Sequence, residues 1–419
     1  LNNGITPFWI AFSTGQIDIV KLLLNDKRVD INQQLDHVWT PFWTACQSGN
    51  LEIVKLLLSD ERVEINKTNN DGETPFWIAC FEGHIEIVKI LLNDERVDIN
   101  RANNLEVLPF YVACSLGHIE MVKLLLNDQR IDINKPKNDG TTPFVVACEK
   151  GHIEIVEILL NDKRVNINQA DKHNQTPFYS VCAIEHIEIV KLLLNDQRVD
   201  INQANIGGQT PFFFACHQKN IEIVKLLLND QRIDVNKGQI QGGTPFYIAC
   251  QEGHIEIVKL LLNDNRVDIN KESVDGWTSF LIACQEGHIE IVKLLLNDQR
   301  VDINKANKDG ETPFFFACLK EHIEIVKIFV NDKRLDINKA NNGSVTPFLI
   351  ACEKGQIEIV KLLLNDQRVD TNKARDGGFT PFYIACVLGH TEIVKLSIKP
   401  IIMVLHLLML LVMLDRLKL

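Results

Sequence analysis

The stretch TPFYIACQEGHIEIVKLLLNDNRVDIN, residues 244–270, recurs along most of this chain of 419 residues. Its first residue, a threonine, returns at intervals of 34 residues or twice 34, and Leu108 stands at the one position without it. The twelve copies begin at Thr6, Thr40, Thr74, Leu108, Thr142, Thr176, Thr210, Thr244, Thr278, Thr312, Thr346 and Thr380. A strict period is typical of solenoids, in which each unit buries its apolar face against its neighbours. We therefore predict that residues 1–396 form one array of stacked units.

Each unit is predicted to contain two short antiparallel helices and a turn. Thr244 is a suitable N-cap for the first helix, and Pro245 suits its first position because the missing N–H needs no partner there. Phe246 should face inward. The second helix, HIEIVKLLL, is apolar on nearly all sides and should lie between other helices. We expect Asn263 to end it in the left-handed conformation, and a tight turn to precede the next threonine.

The repeat resembles the ankyrin repeat, whose signature is Thr-Pro-Leu-His-x-Ala with a period of about 33 residues. Here the matching residues are T-P-F-x-x-A-C, then G-H-I-E-I-V-K-L-L-L, then D-I-N. The resemblance covers residues 1–396. It implies an all-α solenoid of stacked helix-turn-helix units with short hairpin-like turns between repeats. The sequence departs from the family pattern in the longer link NDQRV, at Leu108 and at Ser279.

Composition and motifs indicate a non-catalytic protein. The net charge is −11 and no basic block occurs, so we expect neither nucleic acid nor an anionic membrane as a partner. There is no GxxxxGK[ST], GxGxxG or HExxH motif, and no nucleophile is paired with a base. We expect no enzymatic activity, no cofactor and no metal. Because residues 1–16 do not resemble a secretory signal and residue 1 is Leu, we expect a fragment or a processed chain of an intracellular protein.

Cysteine and histidine each recur at a fixed position of the repeat. The cysteines are Cys46, Cys80, Cys114, Cys148, Cys182, Cys216, Cys250, Cys284, Cys318, Cys352 and Cys386. Stacked helices lie roughly 8–10 Å apart, too far for disulfides between neighbouring repeats. We predict buried free thiols and a reducing compartment, the cytoplasm or the nucleus. The histidine after the inter-helix glycine, such as His254, is predicted to cap the turn between the helices.

An aromatic row occupies the second position after the proline. Its members are Trp9, Trp43, Trp77, Tyr111, Tyr179, Phe213, Tyr247, Phe315 and Tyr383. We favour packing between repeats as its role. The alternative is a partly exposed stripe on which bases or sugars stack.

Comparison of the copies suggests where a partner binds. The resemblance implies that hairpin tips and adjoining ends of the first helices form a concave face that usually holds protein partners. Most copies carry polar residues there. The exceptions form our candidate partner-binding set: Trp39, Phe81, Leu105, Val107 and Leu116, with Ile184 and His217 flanking them. Exposed apolar and aromatic residues mark interaction sites. Neutral drift is the alternative, and a weaker second set is Trp277, Phe379, Val387 and Leu388.

The tail, 397–419, departs from the repeat. Its uncharged run 401–414 has 14 residues, whereas a membrane-spanning helix needs about 20. When the tail is back-translated and read one base earlier, the codons permit Ile-Asn-Lys-Ala-Asn-Asn-Asn-Gly-Ala-Thr-Pro, followed by further repeat residues. We therefore predict that the tail is a thirteenth repeat read out of frame.

The sequence thus predicts a monomeric protein-binding scaffold or adaptor. In a first alternative, the array is the regulatory or targeting part of a longer enzyme, such as a kinase or phosphatase subunit. In a second, it is the cytosolic part of a membrane-anchored protein. Coding sequence upstream of Leu1 would test the first alternative, and membrane fractionation the second.

Overall fold

The computed structural model of the protein describes residues 5–35 and 38–397. The chain divides into two compact units, Leu1–Ile206 and Gly207–Leu419. Both are helical in the part described, where the strand-like pairing is an isolated bridge between Leu35 and Trp39. The all-α prediction is confirmed.

The first unit contains six helix pairs, and the first helix of each pair begins at a proline. The pairs are α1 (Pro7–Ser13) and α2 (Ile17–Asn25), α3 (Pro41–Ser48) and α4 (Leu51–Leu58), α5 (Pro75–Glu82) and α6 (Ile85–Leu92), α7 (Pro109–Leu116) and α8 (Ile119–Leu126), α9 (Pro143–Glu149) and α10 (Ile153–Asn161), α11 (Pro177–Ala183) and α12 (Ile187–Asn195). Helices α3, α5, α7, α9 and α11 pack side by side in that order, and α4 to α12 form a second row.

The second unit repeats this arrangement. Its helices are α13 (Pro211–His217) and α14 (Ile221–Asn229), α15 (Pro245–Gln251) and α16 (Ile255–Leu262), α17 (Ser279–Glu286) and α18 (Ile289–Asn297), α19 (Pro313–Leu319) and α20 (Ile323–Val330), α21 (Pro347–Glu353) and α22 (Ile357–Leu364), and α23 (Pro381–Val387). A further helix covers residues 391–397. The odd-numbered helices pack in one row and the even-numbered helices in another.

The threonine that opens the repeat acts as an N-cap. In α9, the Thr142 hydroxyl oxygen accepts a hydrogen bond from the Val145 backbone N–H at 3.2 Å, which satisfies a donor that the helix start leaves free. Leu108 makes no such bond, but its backbone is extended like that of the threonines and α7 still begins at Pro109. Helix α17 likewise begins at Ser279 without a proline.

A ladder of phenylalanines forms the core between the two rows of helices. The phenylalanine two residues after the start of the repeat is at most 3% exposed in every copy from Phe8 to Phe348. In the last copy, Phe382 is 40% exposed. The predicted inward orientation of Phe246 is confirmed, since it is 1% exposed.

The repeat histidine links neighbouring repeats instead of capping its own helix. His322 stands at the N-cap position of α20, but its side chain makes no capping bond. Its Nε2 lies 2.8 Å from the carbonyl oxygen of Gln285 in the preceding repeat. Gly287 has a φ of 80°, and a Cβ there would lie 2.6 Å from His322 Cε1. The capping prediction was therefore wrong: the glycine leaves room for a histidine that bonds across the repeat interface.

The asparagine of the D-I-N motif also bonds across the interface. Asn100 donates from Nδ2 to the carbonyl oxygen of Arg130 at 2.7 Å, and its Oδ1 accepts from the Asp132 backbone N–H at 2.9 Å. The same pair of bonds recurs for Asn236 and Asn338. One side chain thus holds the loop of the next repeat by both its donor and its acceptor.

The longer link caps the second helix of the preceding repeat. The Arg266 guanidinium donates to the carboxylate of Asp264 and, at 2.7 Å, to the carbonyl oxygen of Leu228 at the end of α14. A cation there satisfies a free carbonyl and complements the helix dipole. The expected left-handed Asn263 was wrong: its φ is −80° and its ψ is −11°. The arginine, not the asparagine, completes the helix end.

No helix in the described ranges is long and apolar enough to cross a membrane. The predicted out-of-frame repeat lies almost wholly outside these ranges, since only Ser397 of the tail belongs to them.

Candidate functional site

The aromatic row lies mainly between repeats. Trp43 and Trp77 are at most 5% exposed, and each donates its indole N–H to a backbone carbonyl oxygen in the hairpin tip that directly precedes the next repeat. The acceptors are Glu73 for Trp43 and Val107 for Trp77, at 3.0 and 2.9 Å. The favoured packing role is confirmed for most of the row, although Tyr247 is half-buried and Tyr383 is exposed.

Two of the predicted partner-binding residues rest on these buried rings. The Phe81 ring stacks on the Trp77 ring with centroids 5.4 Å apart and planes 14° apart. The Trp39 and Trp43 centroids are 6.4 Å apart, with planes 30° apart. Trp39 is 37% exposed and Phe81 40%. Each exposed ring is therefore supported by a ring that is itself held by a hydrogen bond.

The remaining apolar candidates lie in the hairpin tip just before the fourth repeat and at the end of its first helix. Leu105, at the hairpin tip, is 69% exposed, and Leu116, the last residue of α7, is also exposed. Val107 is half-buried, and its carbonyl oxygen is the acceptor for Trp77. We call these three residues, together with Trp39 and Phe81, the apolar face.

The two flanking candidates are not part of the apolar face. Ile184 is exposed after α11, in the sixth repeat, so the fifth repeat separates it from Leu116. His217 belongs to the second unit and is half-buried. Its carbonyl oxygen lies 3.0 Å from His254 Nε2, so this residue takes part in the histidine ladder.

Glu73 adds charge to the apolar face. It directly precedes Thr74, the N-cap of α5, and its carbonyl oxygen is the acceptor for Trp43. Its carboxylate accepts from Asn69 Nδ2 at 2.8 Å. Partial burial raises the pKa of Glu73 above its usual value, and the neighbouring Asp71 carboxylate acts in the same direction. A negative charge on Glu73 is therefore poorly hydrated.

The cysteine row forms no ligand set. Ten of the eleven cysteines are buried as free thiols, and Cys386 in the last copy is exposed, contrary to the prediction. Burial raises the pKa of Cys352 to about 12 and that of Cys80 well above its usual value, so these thiols stay protonated. Across 5–35 and 38–397, no cluster of His, Cys, Asp and Glu is suited to a metal ion.

Grooves along the second helices follow from helix packing. One of about 700 Å³ lies along α6 and α8 and is lined by His84, Lys89, Glu120 and Lys123. A groove of about 470 Å³ recurs at the equivalent His322. Because the hollow recurs with the repeat and its charged residues pair with each other, it does not mark a distinct site.

Sequence comparison missed an exposed aliphatic row at the hairpin tips. Ile240 is 70% exposed and Val274 is 55% exposed, at a position where most copies carry Asn or Lys. Val274 donates its backbone N–H to the carbonyl oxygen of Gln241 at 2.8 Å. Ile206 holds the same position in the first unit. Alignment of the copies at this one position would have found them.

The second apolar set lies in the second unit. The Trp277 ring packs 4.8 Å from that of Phe316, which makes it a packing residue. Phe379, Val387 and Leu388 are exposed in the last copy.

The fold and its repeat-to-repeat bonds define a class of protein: a helical repeat array whose units are joined by recurring side-chain ladders. The sequence profile described as ankyrin repeats (3 copies) matches residues 1–69, 42–137, 110–205, 179–273, 246–341, 280–374 and 333–399. The chain therefore belongs to the ankyrin repeat family, whose repeats are generally protein–protein interaction modules. No curated protein sequence matches the chain.

Proposed function

We propose that this protein is a non-catalytic scaffold or adaptor that binds a partner protein on the apolar face. One observation carries the proposal: the exposed rings of Trp39 and Phe81 lie on buried, hydrogen-bonded tryptophans. A preformed surface loses little conformational entropy on binding. Aromatic residues at such places are the commonest energetic anchors of protein interfaces.

The proposal also covers the oligomeric state and the cellular compartment of the protein. We propose a monomer in a reducing compartment, the cytoplasm or the nucleus. The buried free thiols support this, because they are typical of proteins outside oxidising compartments. The net charge of −11 and the burial of most of the aromatic row favour a protein partner over nucleic acid.

The test is a double substitution, Trp39→Ala with Phe81→Ala, and an affinity measurement. The partner is first captured on the wild-type protein, identified by mass spectrometry and purified. Titration calorimetry should then show roughly 30-fold or greater loss of affinity, because two anchor residues contribute at least about 2 kcal/mol.

Ile153→Ala with Ile357→Ala is the matched control. These two isoleucines have comparable exposure but begin the second helices α10 and α22. Circular dichroism should show that both variants keep their helix content. If the Trp39/Phe81 variant keeps full affinity, or the control loses as much, the proposed face is wrong.

A further inference from the structure

The apolar face is bordered by carboxylates and has no basic residue of its own. The segments that carry it contain no lysine and no arginine: 38–48, 69–82 and 103–116. They contain four acids: Asp71, Glu73, Glu82 and Glu106. Glu106 lies 3.9 Å from Lys135. Among the residues that the structure describes, the other three have no Lys or Arg within salt-bridge distance.

Helix acids elsewhere in the same three repeats are ion-paired. Glu86 lies 2.6 Å from Lys89 in α6, and Glu120 lies 2.8 Å from Lys123 in α8. Glu52 pairs in the same way in α4. In these three repeats the acids of the second helices are thus paired with lysines, whereas Asp71, Glu73 and Glu82 are not.

The carboxylates and the rings occupy the same surface. Glu82 directly follows Phe81 at the end of α5, and the backbone carbonyl oxygen of Glu73 accepts the hydrogen bond of the Trp43 indole. Because Glu73 is partly desolvated and Asp71 is close to it, an arriving cation would relieve an unfavourable charge. The exposed rings, which suit apolar groups, and the carboxylates, which suit cations, therefore occupy two adjacent hairpin tips and the end of α5.

We propose that the apolar face binds an extended protein segment in which aliphatic or aromatic side chains alternate with lysines or arginines. The inference rests on the proposed function, because it names the chemistry of the partner at the same face. Three stacked repeats span roughly 20 Å, which an extended segment covers with about six to seven residues. Opposite charges also speed the encounter and exclude acidic partners.

The probes are three labelled nine-residue peptides, whose binding to the full chain is followed by fluorescence anisotropy. In the first, two leucines and a tryptophan are separated by lysines and glycines. The second replaces each lysine by glutamate, and the third replaces the leucines and the tryptophan by serine. The first should bind at least about 10-fold more tightly than either of the others, because only it supplies both cations and apolar groups.

A charge-neutralising variant tests the carboxylates directly: Asp71→Asn, Glu73→Gln and Glu82→Gln. The matched control removes the same charges at equivalent repeat positions of the second unit: Asp309→Asn, Glu311→Gln and Glu286→Gln. Glu311 accepts from Asn307 Nδ2 at 3.0 Å, as Glu73 does from Asn69, but Leu319 stands where Phe81 would be. The first variant should lose about 10-fold affinity for the lysine peptide, and the control less than about twofold.

The outcomes separate this inference from the proposed function. Equal binding of the lysine and glutamate peptides, no binding of any peptide, or equal losses in the two charge variants would each overturn the inference. So would a captured partner that needs Trp39 and Phe81 but binds the carboxylate variant with full affinity, while the proposed function would stand. A captured partner that tolerates loss of both rings overturns the proposed function itself.

Discussion

Single side chains join the repeats of this protein. His322 reaches back to a carbonyl of the preceding repeat, Asn100 reaches forward to the next loop, and Arg266 closes the end of the preceding second helix. Each bond satisfies a backbone group that would otherwise be left free at a helix end or in a loop. The constancy of these residues between copies therefore has a structural cause, and it says little about the partner.

Removing one of these bridging side chains should lower the free energy of unfolding. Asn100→Ala deletes two hydrogen bonds to the next repeat and should lower the free energy of unfolding by about 1–2 kcal/mol. Urea unfolding followed by circular dichroism measures the change. Asn127→Ala is the control, because this residue directly follows α8 as its C-cap and its side chain makes no hydrogen bond to any described residue. Equal stability of the two variants would contradict the bridging role.

The first helices form even where the usual threonine cap or the usual proline is missing. Every first helix but one begins with proline, and every one but α7 has a threonine hydroxyl at its N-cap. The helices at Leu108 and Ser279 form in register with the others, because packing against neighbouring helices outweighs one missing cap or one missing proline. The exception at Ser279 has a cost, since its hydroxyl is buried and makes no hydrogen bond within the described chain.

Ser279→Pro should therefore stabilise α17. Thr278 already has the extended backbone that a following proline requires, with φ −97° and ψ 163°. The change removes an unsatisfied buried hydroxyl and restrains the unfolded chain, so we expect a gain of about 1–2 kcal/mol. Thermal unfolding measures it, and Pro245→Ser in the adjacent α15 should cause a loss of similar size. A destabilised Ser279→Pro protein would show that the hydroxyl has an unrecognised partner.

The apolar face depends on how the first helices pack against the hairpin tips. Comparison of the copies could select Trp39 and Phe81, since aromatic residues replace polar ones there. It could not show that these rings lie on Trp43 and Trp77, because those contacts depend on side-chain orientation.

For the whole molecule, stability should depend on pH through the repeated aspartate–arginine pairs. The arginine two residues on donates hydrogen bonds that hold the pKa of Asp94, Asp264 and Asp332 below the usual 3.8. A lowered folded-state pKa means that the stabilisation is present above pH 3.8 and is lost as the pH falls through the folded value. Because the aspartate–arginine pair recurs along the array, many small losses of stability occur over the same range of falling pH.

We therefore expect the midpoint of thermal unfolding to stay nearly constant from about pH 7 to about pH 5 and to drop below about pH 4. Glu73 and Glu149 act in the opposite direction, since burial raises their pKa and their protonation removes a destabilising charge. Thermal melting curves across this pH range measure the net effect of the aspartate–arginine pairs and the two buried glutamates. The Asp94→Asn protein should be less stable than the wild type at pH 7, and its unfolding midpoint should fall less on acidification. A wild-type midpoint that stays constant down to about pH 3 would show that the aspartate–arginine pairs contribute nothing to stability.

The sequence alone determined the period, the helix pairs, the start of each first helix and the buried phenylalanine ladder. These follow from local rules: a threonine and a proline start a helix, and apolar residues at helical spacing pack together. Only the tertiary structure decided what the histidine, the asparagine and the arginine bond to, because their partners lie 30 to 38 residues away in a neighbouring repeat. It also decided which exposed rings are rigidly supported, since ring contacts between side chains depend on how the helices and hairpin tips pack.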